Sequence, residues 1–105
     1  MAVQNLVEQH IIFISSNNII DEKSILGNSL VQALANNSVG NDLVSSIQFY
    51  QHWDGTNWTE SGFFELKCYV APAFQSTIQQ NIPTLQSQLP QYTIVTWGYA
   101  VQFGN

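Results

Sequence analysis

The sequence predicts an α+β domain: a four-stranded antiparallel sheet with two helices on one face. Three observations carry this. Two long segments in the middle of the chain alternate apolar and polar residues around an Asp-Gly turn. Two other segments carry apolar residues at helical spacing, and the first and last segments are again strand-like.

The first strand is expected over His10 to Ser15, where Ile11, Ile12, Phe13 and Ile14 form a continuous apolar run. A run apolar on both sides suits a central strand covered on both faces. Ser15-Ser16-Asn17-Asn18 breaks it with turn- and cap-forming residues. A helix follows from Asp21 to Asn36. Asp21 and Glu22 complement the dipole of its first turn, and Ile25, Leu26, Leu30, Val31 and Leu34 make one apolar stripe. Gly40 is available for a left-handed position after it.

Leu43 to Trp53 reads as the second strand and Trp58 to Val70 as the returning one, joined by Asp54-Gly55-Thr56-Asn57. Ile47, Phe49, Gln51 and Trp53 point one way, and Gln48, Tyr50 and His52 the other. On the return, Phe64, Leu66, Cys68 and Val70 share a face opposite Phe63, Glu65, Lys67 and Tyr69, and Gly62 is a candidate bulge. Pro72 opens a second helix whose stripe is Phe74, Ile78, Ile82, Leu85 and Leu89. Pro83 is expected to kink or interrupt it, and Pro90 ends it. Tyr92 to Phe103 is the last strand. Strand, helix, strand, strand, helix, strand is the split βαβ, or ferredoxin-like, order.

Length and charge bound the function. The 105 residues make one domain over 1–105. Only 9% are charged, while Gln, Asn, Ser and Thr fill 38 positions. With Lys23 and Lys67 as the only basic residues of the lysine or arginine type, neither a nucleic-acid footprint nor a polybasic membrane anchor is expected. Met1 to His10 lacks the parts of a signal peptide and no apolar run reaches the ~18 residues of a membrane span, so a cytoplasmic setting is expected. No serine sits in a nucleophile elbow, no glycine-rich phosphate loop exists, and lone Cys68 reads as a small core residue. The chain is expected not to be an enzyme.

Two surface features remain. The strands are apolar or aromatic on both sides, more than a small monomer exposes, so the face away from the helices is expected to be covered by copies of the chain. His52, Asp54 and Glu60 gather near the hairpin end, and imidazole with carboxylates suits Cu(II) or Zn(II). The competing reading is a solvated tip with Trp53 and Trp58 as cross-strand aromatics. His10 reads as a surface residue before the first strand. Glu65 and Lys67 share a face and suit ion pairs within or between subunits.

The stretch Ser46-Ile47-Gln48-Phe49-Tyr50-Gln51-His52-Trp53-Asp54-Gly55 resembles the Ser-Ile-Tyr-x-Trp-x-Gly hairpin of the CutA family. Glu60, then Glu65-Leu66-Lys67, and Leu89-Pro90-Gln91-Tyr92-Thr93-Ile94 resemble that family's following segments, from about Ile11 to Phe103. The resemblance implies a ferredoxin-like homotrimer, related in shape to PII signalling proteins, with a role in divalent-cation tolerance and no enzymatic activity. A small ligand would sit at subunit clefts. The family's cysteine near the end of the first helix is replaced by Val39-Gly40-Asn41, so the fold and trimer carry over better than the metal role. The alternative is a dimeric ferredoxin-like barrel, an enzyme or ligand-binding protein, with a pocket between sheet and helices lined by polar groups such as His or Arg.

Overall fold

The computed structural model describes residues 4–41 and 43–103. The chain runs β1 (Gln4–Ser15), α1 (Glu22–Leu26), α2 (Ser29–Asn37), a single 3-10 turn (Val39–Asn41), β2 (Val44–Trp53), β3 (Trp58–Val70), α3 (Pro72–Gln88) and β4 (Tyr92–Phe103). The strands lie in the order β2-β3-β1-β4, and every neighbouring pair is antiparallel. That order with both helical segments on one face is the ferredoxin-like α+β fold.

The core lies between the sheet and the helices. Val7, Ile11 and Phe13 of β1 and Phe64, Leu66, Cys68 and Val70 of β3 pack against Ile25, Val31, Leu34, Ile78 and Leu85 of the helices. The alternation along β3 is as the sequence implied. Its bulge is not: the β2–β3 register runs unbroken through Gly62, and the β1–β3 register runs unbroken up to it. A Cβ there would sit tightly, 3.1 Å from the Ile20 side chain and 3.2 Å from the Asn17 carbonyl, where the β1–α1 loop crosses the strand.

Three expectations need correction. First, β1 begins at Gln4, and its partners run from Gln4↔Phe103 to Ser15↔Tyr92. Its early half is polar at Glu8, Gln9 and His10, so it lacks the apolar signal of Ile11–Ile14, yet two flanking strands satisfy its backbone. Gln9 is buried under the helices, donating to Thr96 Oγ1 at 2.7 Å. Its side chain lies across Gly98, where a Cβ would fall 2.5 Å from Gln9 Oε1. Second, the first helix is two. Gly27 ends α1, and the Asn28 side chain caps α2 by accepting from the backbone N–H groups of Leu30 and Val31. The apolar stripe spans this break, so periodicity alone conceals it. Third, of the kink or interruption expected at Pro83, the interruption does not occur: α3 is one helix from Pro72 to Gln88. The ring costs the helix one N–H donor, but Ile78 and Leu85, buried on either side, hold both halves on the sheet.

Among the described residues no helix covers β2, whose residues are all exposed. The β2–β3 hairpin projects beyond the helical layer and helps give the molecule its 57 Å length. Both outer strands, β2 and β4, present unpaired edges.

Candidate functional site: the open face of the sheet

The face away from the helices carries a polar cluster ringed by aromatic and aliphatic side chains. Register places Glu8, His10, Ile12 and Ile14 of β1 between Tyr69, Lys67, Glu65 and Phe63 of β3 on one side and Tyr99, Trp97, Val95 and Thr93 of β4 on the other. His10 is the hub. Its Nε2 lies 2.7 Å from Glu8 Oε2 and its Nδ1 3.0 Å from Glu65 Oε2. Carboxylates only accept, so satisfying both contacts requires N–H at both ring nitrogens. The ring stacks on Trp97 with centroids 5.0 Å apart and planes 6° from parallel, and next to Tyr99 at 5.9 Å. Only 13% of the His10 side chain and 14% of the Glu8 side chain remain accessible.

Glu8 also accepts from Tyr69 Oη at 3.0 Å and from Tyr99 Oη. Hydrogen bonds from Tyr99 and His10, with Tyr69 as a further donor, hold its carboxyl at about 2 against an ordinary 4.5. The same bonds raise the hydroxyl pKa of Tyr69 and Tyr99. A carboxylate whose folded value is depressed stabilises the fold fully above its ordinary value, and that stabilisation is lost as the pH falls toward the folded value. Urea unfolding of the parent at fixed concentration should therefore weaken between pH 4.5 and about 2. Glu8→Gln should be less stable at neutral pH and flatter across that window; parallel curves would contradict this role for Glu8.

Beside Glu65 the face dips into a hollow of about 300 Å³ lined by Ile12, Ser46, Gln48, Tyr50, Phe63 and Glu65. Tyr50 packs edge-on against Phe63 at 4.9 Å and donates to Gln48 Oε1. Around the cluster, Val95, Trp97, Tyr99 and Phe103 remain 42–51% exposed. On the other side of the sheet, the cleft between α2 and α3 holds about 90 Å³, walled by Leu30, Leu34, Phe74 and Ile82. Its polar rim is Thr77 and Asn81, and the Asn81 amide is spent on the Thr77 carbonyl. It offers no convergent polar groups to orient a ligand.

The hairpin residues read as metal ligands are placed apart. His52 is paired with Thr59 on the open side, its Nε2 2.7 Å from Thr59 Oγ1. Glu60 is paired with Gln51, one position out of phase, and so lies on the helix side, where it accepts from Asn18 and Gln51. Asp54 Oδ1 accepts from the backbone N–H groups of Asn57 and Thr56, both at 2.7 Å. Those bonds lower its pKa and close the turn around Gly55, whose φ is 103°. Among the described residues no group of three or more His, Cys, Asp or Glu is disposed to hold a metal ion. Trp53 and Trp58 meet edge-to-face at 5.8 Å, as cross-strand aromatics do. Cys68 is buried, and burial pushes its thiol up to about 11, so it is no nucleophile.

His10, read from sequence as a surface residue ahead of the first strand, is the largest correction. It lies on a central strand, in the middle of the open face. A signal for it was present: Glu8, His10, Ile12 and Ile14 alternate with Val7, Gln9, Ile11 and Phe13, extending the strand period backward.

No protein-family description matches the chain, and no curated protein matches it. Among solved structures, a protein described as a PII-like signaling protein, from Thermus thermophilus, is similar at 12% identity over 95% of this chain and 92% of that one, with a TM-score of 0.46. A dimeric ferredoxin-like protein from an uncultured marine organism is similar at 10% identity, covering 93% and 96%, with a TM-score of 0.44. Likenesses this loose add nothing to the fold, which the strand order itself defines. No helix of the described residues is long and apolar enough to cross a membrane.

Proposed function

We propose that the protein is a non-catalytic binding module that assembles from copies of itself through the open sheet face, with a small ligand held in clefts where subunits meet. The observation that carries this reading is the face itself: Val95, Trp97, Tyr99, Phe103 and Tyr50 form an exposed apolar border around a polar centre. So much exposed apolar and aromatic surface on one face is costly to leave in water and suits burial against a copy of the chain. The absence of catalysis is supported by the occupancy of the two groups best able to do chemistry. Both nitrogens of His10 face carboxylates, and the Cys68 thiol is buried and protonated. A divalent ion at the hairpin end is not part of the reading, because His52 and Glu60 lie on opposite sides of the sheet.

A homotrimer is favoured by the two bare edges, β2 and β4, since a ring lets each sheet edge meet a neighbour. A stacked dimer is favoured by a different observation, the histidine-centred cluster in the middle of the face, the mark expected of a two-sheet barrel. Light scattering coupled to chromatography tests the shared claim. A mass two or three times the 11.8 kDa chain at micromolar concentration is expected, and a monomer mass would overturn the reading.

A further inference from the structure

We infer that Lys67 of one copy reaches the open-face hollow of another and pairs there with Glu65, so that each subunit completes its neighbour's site. The inference rests on the reading that copies bury this face. Glu8, His10, Glu65 and Lys67 stand on β1 and β3, the two inner strands, and so occupy the centre of the face. His10 takes one oxygen from each glutamate. The second oxygen of Glu8 is used by Tyr69, whereas Oε1 of Glu65 has no hydrogen-bond partner among the described residues. Lys67 is half-buried directly opposite His10, and among the described residues no carboxylate lies within 4.0 Å of its ammonium. Its own chain thus leaves one cation and one carboxylate oxygen unmatched, two positions apart on one strand.

Covering the face would remove water from both. An isolated charge enclosed in an interface is strongly unfavourable, while a pair that is hydrogen-bonded is tolerated. His10 lies between the two glutamates and Lys67 stands opposite it, so the centre of the face carries groups of both signs and not a single-sign patch. The chain holds no other cation for this role: it has no arginine, and Lys23 lies in α1, in the helical layer. Because Glu65 and Lys67 sit at the centre, a copy seated over the face brings its own Lys67 over the neighbour's hollow. Ser46, Gln48 and the ring of Tyr50 line that hollow and provide polar and aromatic contacts for an ammonium.

The test uses charge reversal and mixing. Sedimentation velocity is run on the parent, on Glu65→Lys, on Lys67→Glu, and on an equimolar mixture of the two variants, with circular dichroism to establish folding. Each variant alone should dissociate at a concentration about 30-fold higher than the parent or more. The mixture should recover most of the loss, because the lysine introduced in one variant and the glutamate introduced in the other then face each other across the junction; damage to the His10 contact is the same alone and mixed. Variants that assemble as tightly as the parent, or a mixture as weak as its components, would overturn the inference while leaving the oligomer in place. A monomeric parent would instead remove the underlying reading. If either reversal fails to fold, Glu65→Gln and Lys67→Met form a double-mutant cycle: losses that do not add support the pair, and additive losses reject it.

Discussion

Replacing Trp97 by lysine is expected to release the chain as a folded monomer. Trp97 sits on β4 beside His10, with 42% of its surface still accessible. Roughly 100 Å² of aromatic surface would be buried when a copy covers it, worth about 2.5 kcal/mol at ~25 cal/mol per Å². Tryptophan is enriched among the interface residues whose loss costs about 2 kcal/mol or more. Lysine adds an enclosed charge with no partner, so association should weaken by about 50-fold or more. Because β4 is an edge strand and the side chain points away from the core, far-ultraviolet circular dichroism should keep its native shape. Sedimentation equilibrium reads the mass directly; a Trp97→Lys protein with the parent's mass would show that this face is not the interface.

Phe64→Ala should have the largest effect on folding. Phe64 is fully buried in β3 and packs against Phe13 across the sheet at 6.3 Å. Phe13 in turn meets Tyr92 edge-on at 6.1 Å, so the three rings tie β3, β1 and β4 into one layer beneath the helices. Removing a buried phenyl ring costs about 3–5 kcal/mol. That is a large share of the roughly 5–15 kcal/mol that stabilises a domain. Urea unfolding monitored by circular dichroism should show the midpoint falling by a third or more, against a small shift for Phe49→Ala on exposed β2. Equal shifts would contradict the placement of the core.

The hairpin was legible because its signals are local. Asp54-Gly55 fixes the turn, and strict alternation from Phe63 to Val70 assigns each side chain to a face, so the observed β3 bounds match those read from sequence. The first helical region was half legible. Its stripe is a tertiary feature that continues across Gly27 and Asn28, whereas the break depends on the Asn28 side chain capping a new first turn. The open-face cluster was legible only in part: Glu65 and Lys67 could be put on one face and the strand period reached back to His10, but the contacts among these residues did not follow from it. His10 meets Glu65 55 positions away and Glu8 meets Tyr99 91 positions away, contacts that exist only once three strands are in register. The hairpin triad failed for the complementary reason. His52 and Glu60 are near in sequence, but a period of two puts them on opposite sides of the sheet.

The proposed assembly buries the open face and leaves the hairpin end in solvent. Hydroxyl-radical labelling read by mass spectrometry, performed across a dilution series, measures this residue by residue. A single chain would expose Trp97 and Tyr99 nearly as much as Trp53. At concentrations where the protein is assembled, Trp97 and Tyr99 should be protected while Trp53 and Trp58 are modified, and the protection should disappear on dilution. Trp97 modified at the rate of Trp53 at every concentration would contradict the account.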